Sequence, residues 1–189
     1  MSNKIHEFSN FISEEDSLIL INHMENNIGN FMSANKRELY HIQKFGNNPI
    51  TPTSDKISDY PDILPIAKFY TEKAKEFAKS TYNDDTELYL SSFWLSRQLP
   101  GAVVGYHNDS DYGTTTYFKY SCCFYLNNTD TSAPLTFPGI PYEYKAKMGD
   151  MVIWPSQEKD HDHGVPFINE TRYSMIIWLT DQKEFSVLY

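Results

Sequence analysis

The spacing of apolar residues predicts that the first third of the chain is helical. Residues 13–27, SEEDSLILINHMENN, begin with Ser13 as a candidate N-cap, and the acidic residues that follow suit the N-terminus of a helix. The apolar positions after this cap recur at helical spacing: Leu18, Ile21, Met24 and Ile28. A second helix is predicted over residues 63–82, after a polar stretch with glycine and proline over residues 44–62 that predicts a loop.

After residue 85 the pattern changes to short alternating segments rich in aromatic residues, which is typical of strands. Turn-forming residues separate the predicted strands, which read TELYLSSFWLSRQL, FKYSCCFYLNN, APLTFP, EYKAKMGDMVIWP and TRYSMIIWLT. Helices followed by strands predict an α+β fold. We expect a barrel or jelly roll of two sheets, with the N-terminal helices buttressing one sheet. We expect a single domain, 1–189, with helical support over about 1–85 and a jelly-roll core over about 86–182.

Composition and charge narrow the class of protein. The 189 residues are 40% hydrophobic and 15% aromatic, which is typical of a globular chain with a sizeable core. The formal net charge is −9. Because nucleic-acid binding requires a basic surface, this charge argues against nucleic acid as a partner.

Three features predict a cytoplasmic protein that does not enter a membrane. The opening residues, MSNKIHEFSN, contain no apolar signal-peptide core. No stretch reaches the roughly 18 apolar residues of a membrane span. The only cysteines are the neighbours Cys122 and Cys123, which make a poor disulfide framework.

Two short motifs contain candidate metal ligands. The first, YHNDSDY, places His107 and Asp109 two residues apart, so that both side chains point to one face if the segment is extended. A further histidine would complete a two-histidine, one-carboxylate triad, the ligand set of non-haem Fe(II) oxygenases. The alternative is a surface histidine beside a turn that Asp109 caps.

The second motif, KDHDHGV, offers two candidates for the third ligand. His163 precedes a Gly-Val pair that suits a turn back into a strand, whereas His161 lies between two aspartates and is expected to face solvent. We therefore favour His163. The alternative is that both are exposed loop histidines.

The last predicted strand carries one arginine in an apolar segment. Alternation places one set of side chains on a common face: Arg172, Ser174, Ile176 and Trp178. A buried guanidinium requires an anionic partner, because an unpaired buried charge is costly. That partner is either an Asp or Glu of the same chain or the carboxylate of a ligand, to which the Ser174 hydroxyl would add a hydrogen bond.

In their order along the chain, these motifs resemble the Fe(II)/2-oxoglutarate-dependent dioxygenases, and the prolyl 4-hydroxylase branch in particular. The motifs are His-x-Asp at 107–109, His-Gly-Val at 163–165 and Thr-Arg-Tyr-Ser at 171–174, followed by Trp178. CCFYLNN at 122–128 is similar to a strand of that branch that ends in Tyr-Leu-Asn. KAKMGDMVIWPS at 145–156 is similar to its Gly-Asp turn and apolar strand. The resemblance covers about residues 90–180 and implies a double-stranded β-helix.

The resemblance implies a role for each matching residue. The implied iron ligands are His107, Asp109 and His163. The implied 2-oxoglutarate-binding residues are Arg172 and Tyr125 at the distal carboxylate, with Ser174 beside them and Trp178 packing nearby. The chain departs from the branch in two places: TDTSAPLTFP lacks a frequent Gly-Gly-Glu-Leu pattern, and an arginine stands where many collagen-type enzymes have lysine.

The implied chemistry is hydroxylation of a C–H bond with Fe(II) as cofactor and 2-oxoglutarate and O2 as co-substrates; ascorbate is a possible reductant. Asp109 matters here, because halogenating relatives lose this carboxylate. The resemblance favours a proline-containing peptide or protein as the substrate. Two alternatives stay open: the same chemistry on a free amino acid, a small molecule or a nucleobase, and a non-catalytic jelly-roll binding protein.

Overall fold

A computed structural model describes residues 4–27, 32–34, 36–43, 53–54, 61–110 and 117–187. The helices are α1 (Glu14–Asn26) and α2 (Leu64–Tyr82), and a short 3-10 helix spans Lys183–Phe185. The strands are β1 (His6–Phe8), β2 (Met32–Ala34), β3 (Arg37–Gln43), β4 (Thr53–Ser54), β5 (Tyr89–Gln98), β6 (Val104–His107), β7 (Tyr120–Tyr125), β8 (Leu135–Phe137), β9 (Tyr142–Tyr144), β10 (Met151–Pro155), β11 (His163–Val165) and β12 (Arg172–Thr180).

The strands form two sheets. The large sheet has the order β1-β10-β7-β12-β5-β3-β2, with β4 paired to β3, and the small sheet has the order β6-β11-β8-β9. All pairs are antiparallel except β3 with β4. The prediction of a mixed fold with both helices and antiparallel sheets is confirmed.

Helix α1 begins where the cap predicted it. The Ser13 hydroxyl accepts the backbone N–H of Asp16 at 3.1 Å, and an acidic first turn follows. Of the apolar residues at helical spacing, Met24 is fully buried whereas Leu18 is 47% exposed, and Leu20, outside that set, is fully buried. Leu18 therefore does not belong to the core.

Helix α2 confirms the prediction over residues 63–82. Pro65 lies in its first turn, where the missing N–H costs nothing, and the helix ends at Asn83, whose φ of 51° is left-handed. Small and apolar side chains form its buried face: Ile66, Ala67, Tyr70, Thr71, Ala74 and Ala78.

Among the described residues, no helix combines the length and the apolarity that crossing a bilayer requires.

The first third is not purely helical, which corrects the sequence prediction. It also contributes β1 to one edge of the large sheet and β2, β3 and β4 to the other. Strand β3 pairs with β5 from Arg37 opposite Gln98 to Gln43 opposite Ser92. This pairing joins segments far apart in sequence, so local spacing could not reveal it. The predicted loop over residues 44–62 lies largely outside the described residues.

Two hydrophobic cores lie on opposite faces of the large sheet. On one face, α1 and α2 pack against alternate residues of β5, β7, β10 and β12. On the other face, side chains of β7 and β10 pack against the small sheet. The large sheet is thus packed between the helices and the small sheet, and the helices buttress one sheet as predicted.

The pairing of β6 with β11 brings two of the predicted metal ligands together. His163 lies directly opposite His107, and an irregularity follows between His163 and Val165. Gly164 lies so close to β6 that an added Cβ would be 2.7 Å from the carbonyl oxygen of Val104. A side chain at this position would force the two strands apart.

This close approach predicts that Gly164→Ala destabilises the protein. Overpacking of this kind costs about 1–3 kcal/mol. The matched control is Gly105→Ala on β6, where nothing lies within 4 Å of an added Cβ; its effect should stay within about 0.5 kcal/mol. Urea unfolding measures both variants, and equal stability of the two would contradict the tight β6–β11 approach.

Candidate metal and co-substrate site

Three side chains converge between the two sheets. His107 ends β6, Asp109 follows two residues later, and His163 begins β11. Their ligand atoms all lie within 4.8 Å of one another. Asp109 Oδ1 is 3.6 Å from His107 Nε2, and Asp109 Oδ2 is 3.7 Å from His163 Nε2. One ion of ordinary metal–ligand bond length can therefore reach all three.

Backbone carbonyls orient both imidazoles. His107 Nδ1 is 2.8 Å from the Gly105 oxygen, and His163 Nδ1 is 3.0 Å from the His161 oxygen. Because a carbonyl oxygen can only accept, each Nδ1 must carry the proton. Each Nε2 then directs its lone pair toward Asp109, which is the arrangement expected of metal-binding histidines.

The site has the protonation states that a cation requires. Burial alone would raise the pKa of Asp109, but the neighbouring His163 and His107 rings outweigh it and lower the pKa to about 2. Burial lowers the pKa of His163, so this imidazole is neutral at pH 7 although Asp109 opposes the shift. An ionised carboxylate and a neutral imidazole are both metal-binding forms.

Aromatic packing fixes the His163 ring further. Its centroid is 4.8 Å from that of Trp154 and 5.5 Å from that of Phe137.

The donor set consists of one carboxylate and two imidazoles. This set suits Fe(II) and leaves coordination positions for other ligands. The described residues therefore fit the predicted metal.

His161 differs from its predicted environment. It is 2% exposed rather than solvated, because its Nδ1 bonds to the carbonyl oxygen of Pro155 at 2.7 Å and its ring packs near Phe137. It lies outside the group of converging ligands. Its backbone carbonyl nevertheless contributes, since that oxygen holds His163 in orientation.

A cavity next to the triad contains the predicted arginine. The cavity is lined by the triad and by one face of β12: Arg172, Ser174, Ile176 and Trp178. Tyr125 of β7 lies beside them, with its ring centroid 5.5 Å from the Arg172 guanidinium carbon. The other face of β12 packs Met175 and Ile177 into the helix-covered core, as alternation predicted.

Polar atoms at and beside the arginine end of this cavity lack protein hydrogen-bond partners among the described residues. Within the part of the chain that the structure describes, Arg172 Nε, Ser174 Oγ and the Tyr125 hydroxyl are buried without a hydrogen bond. No ion pair joins Arg172 to any described Asp or Glu. Burial raises the pKa of Tyr125 well above its usual value, so the phenol keeps its proton as a donor. This arrangement fits a ligand carboxylate rather than an internal one.

The structure adds residues that the sequence analysis missed. Gln98 of β5 lies opposite Arg172 in the ladder, and it lines the cavity together with Trp94 and Cys123. Trp94 contacts Trp178 edge to face, with centroids 4.6 Å apart. The alternation along β5 places Trp94 and Gln98 on one face and could have identified both.

Comparison with known proteins reveals structural likeness without sequence likeness. No protein-family model matches the chain, and no curated protein matches it. A viral collagen prolyl hydroxylase from Paramecium Bursaria Chlorella virus-1, in a 2OG complex, is 16% identical with a TM-score of 0.68, covering 96% of this chain and 98% of that one.

Two prolyl hydroxylases from cellular organisms also combine a similar fold with low sequence identity to this chain. A Pseudomonas putida prolyl-4-hydroxylase is 14% identical with a TM-score of 0.65, covering 96% of this chain and 94% of that one. A Trichoplax adhaerens prolyl hydroxylase, in complex with a peptide fragment of the hypoxia inducible factor oxygen degradation domain, is 13% identical with a TM-score of 0.71, covering 97% and 86%. The chain has the fold of prolyl hydroxylases, which confirms the predicted resemblance at that level.

The geometry predicts different outcomes for the two neighbouring histidines. His163→Ala should weaken Fe(II) binding by more than about a hundredfold, since outer partners of a ligand alone contribute about 10- to 100-fold. His161→Asn should retain binding, because the amide can donate to the Pro155 carbonyl in place of the imidazole. Anaerobic Fe(II) titration calorimetry measures both. Loss of binding only in His161→Asn would assign the ligand to His161 instead.

Proposed function

We propose that the protein is an Fe(II)- and 2-oxoglutarate-dependent hydroxylase. His107, Asp109 and His163 would hold the metal, and Arg172 would bind the distal carboxylate of 2-oxoglutarate. The observation that carries this proposal is that two buried donors without partners, Arg172 Nε and Ser174 Oγ, lie in the cavity that the triad also lines, with Tyr125 beside them. A site that bound only a metal ion would not require these additional buried donors.

The residues of the chain provide binding, orientation and exclusion of water. When bound, Fe(II) would supply the activation of O2 that couples decarboxylation of 2-oxoglutarate to hydroxylation of a C–H bond. The Arg172 guanidinium would pair with the distal carboxylate, and the hydroxyls of Ser174 and Tyr125 would donate to its oxygens. Ile176 and Trp178 line the same cavity and would help to keep water from the reacting atoms.

Asp109 bears on the type of reaction. Its carboxylate is 6% exposed, lies between the two imidazoles and is ionised at neutral pH. A carboxylate ligand occupies the position that a halide would need. We therefore favour hydroxylation.

The strand order supports the finer fold prediction. The strands β10-β7-β12-β5 and β6-β11-β8-β9 form two facing four-stranded sets around the site. We infer from this order a double-stranded β-helix, in a single domain spanning 1–189. We also propose a cytoplasmic location, which is supported by the two cysteines, Cys122 and Cys123, being free thiols.

The proposed substrate is a peptide or protein that contains proline. Support comes from the fold shared with prolyl hydroxylases, one of them in complex with a peptide. The net charge of −9 favours neutral or basic peptides and disfavours nucleic acid. The second candidate is the same chemistry on a free amino acid or another small molecule. This candidate uses the same metal and 2-oxoglutarate residues and differs from the first only in the substrate.

The deciding experiment measures succinate release and product mass together. Fe(II)-loaded protein is supplied with 2-oxoglutarate, O2 and matched peptides containing Pro, Ala or Lys at one position. We expect succinate and the gain of one oxygen atom only with the Pro peptide, and neither with His163→Ala protein. Equal succinate release from all three peptides without oxygen gain would favour the small-molecule substrate. If no succinate forms under any condition, the proposal that the protein is a 2-oxoglutarate-dependent enzyme is contradicted.

Arg172→Ala should weaken 2-oxoglutarate binding without loss of metal. Hydrogen bonds to charged groups contribute about 1.5–3 kcal/mol, so the expected loss is about tenfold to a hundredfold. Tyr125→Phe should act in the same direction with a smaller effect. Titration of 2-oxoglutarate into Mn(II)-loaded protein measures the affinity.

Arg97→Ala is the matched control for this arginine. Arg97 lies on the neighbouring strand β5 but pairs with Glu25 at 2.8 Å, away from the cavity. Its removal should leave the affinity for 2-oxoglutarate unchanged. Equal affinities of Arg172→Ala and the wild-type protein would contradict the proposed anchor.

A further inference from the structure

Two buried serines lie behind the predicted metal ligands on the large sheet. Ser121 of β7 is 0% exposed, and its hydroxyl donates to Asp109 Oδ2 at 2.6 Å. Ser156 follows β10 directly, is 1% exposed, and has its hydroxyl oxygen 2.7 Å from that of Ser121. The two strands are paired here, with Ser121 opposite Trp154. These hydroxyls therefore form a chain that ends on the carboxylate.

The direction of the chain follows from the number of protons. An ionised carboxylate can only accept, and a hydroxyl has one proton to donate. The proton of Ser121 is committed to Asp109, so Ser156 must donate to Ser121. Ser156 is itself fixed, because its backbone N–H donates to the Lys119 carbonyl at 2.9 Å. Each hydrogen bond in such a chain polarises the next one.

The chain distinguishes the two oxygens of Asp109. Oδ2 receives the Ser121 hydrogen bond and lies 3.7 Å from His163 Nε2, whereas Oδ1 faces His107 Nε2 at 3.6 Å. Loss of this bond would remove one restraint on Oδ2, which could then bind a metal together with Oδ1. That mode would occupy a coordination position that the proposed reaction needs for co-substrate or O2.

We propose that Ser121 and Ser156 are positioning residues that hold Asp109 so that it binds the metal through Oδ1 alone. This inference rests on the proposed metal site. It predicts a dependence between the two serines, since Ser156 reaches Asp109 only through Ser121.

Co(II) is the probe, because its visible absorption reports the coordination of the ion and its titration reports affinity. Ser121→Ala should bind Co(II) about 10- to 100-fold more weakly than the wild-type protein and with a changed spectrum. Ser156→Ala should show a smaller loss. The double variant should bind Co(II) no more weakly than Ser121→Ala alone, because removal of the Ser121 hydroxyl already breaks the hydrogen bonds through which Ser156 acts on Asp109.

The matched control is Ser17→Ala in α1, another fully buried serine, whose hydroxyl donates to the Ser13 carbonyl at 2.8 Å. It should leave Co(II) affinity and spectrum unchanged. Wild-type affinity and spectrum in Ser121→Ala would overturn the inference, and so would losses that add in the double variant. If Ser121→Ala does not fold, an unchanged affinity and spectrum in Ser156→Ala overturns it equally. Wild-type protein that binds no Co(II) would instead contradict the metal site itself.

Discussion

The pairing of His107 with His163 across two short strands is the contact on which the site depends. The two histidines are far apart in sequence, and only the ladder between β6 and β11 places them opposite each other. Gly164 permits the close approach of these strands, and the backbone oxygens of Gly105 and His161 orient the two rings. Pairing of β6 with β11 therefore brings two of the three predicted ligands together. A metal that binds the assembled state would stabilise it by mass action.

Strand β12 connects this site to the rest of the molecule. Its alternation sends Met175 and Ile177 into the helix-covered core and turns Arg172 and Ser174 toward the cavity. The helices pack on the face of β12 that is opposite to the cavity, and they hold the strand that carries the arginine. A rigid support matters because a charge-assisted pair loses strength steeply when its geometry is loose.

Local patterns in the sequence predicted the parts of the site that follow from local geometry. The His-x-Asp spacing, the faces of β12 and the cap at Ser13 depend only on residues close in sequence. The edge strands of the first third were missed because their pairing is long-range. Helical spacing alone did not identify which face of α1 is covered, since Leu18 is exposed and Leu20 is buried. The burial of His161 was missed because its partner is a backbone carbonyl.

The two halves of the cavity differ in how their polar atoms are satisfied. On the metal side, the ligands obtain partners from the protein itself, through two backbone carbonyls and the Ser121 hydroxyl. On the opposite side, Arg172 Nε and the hydroxyls of Ser174 and Tyr125 are buried without partners among the described residues. Burying such groups is costly unless something accepts their hydrogen bonds. The positively charged guanidinium of Arg172 and the neighbouring donors suit an anionic ligand with several oxygen atoms. A metal ion at the adjacent triad would bind a second group of the same ligand molecule. The dicarboxylate 2-oxoglutarate meets both requirements.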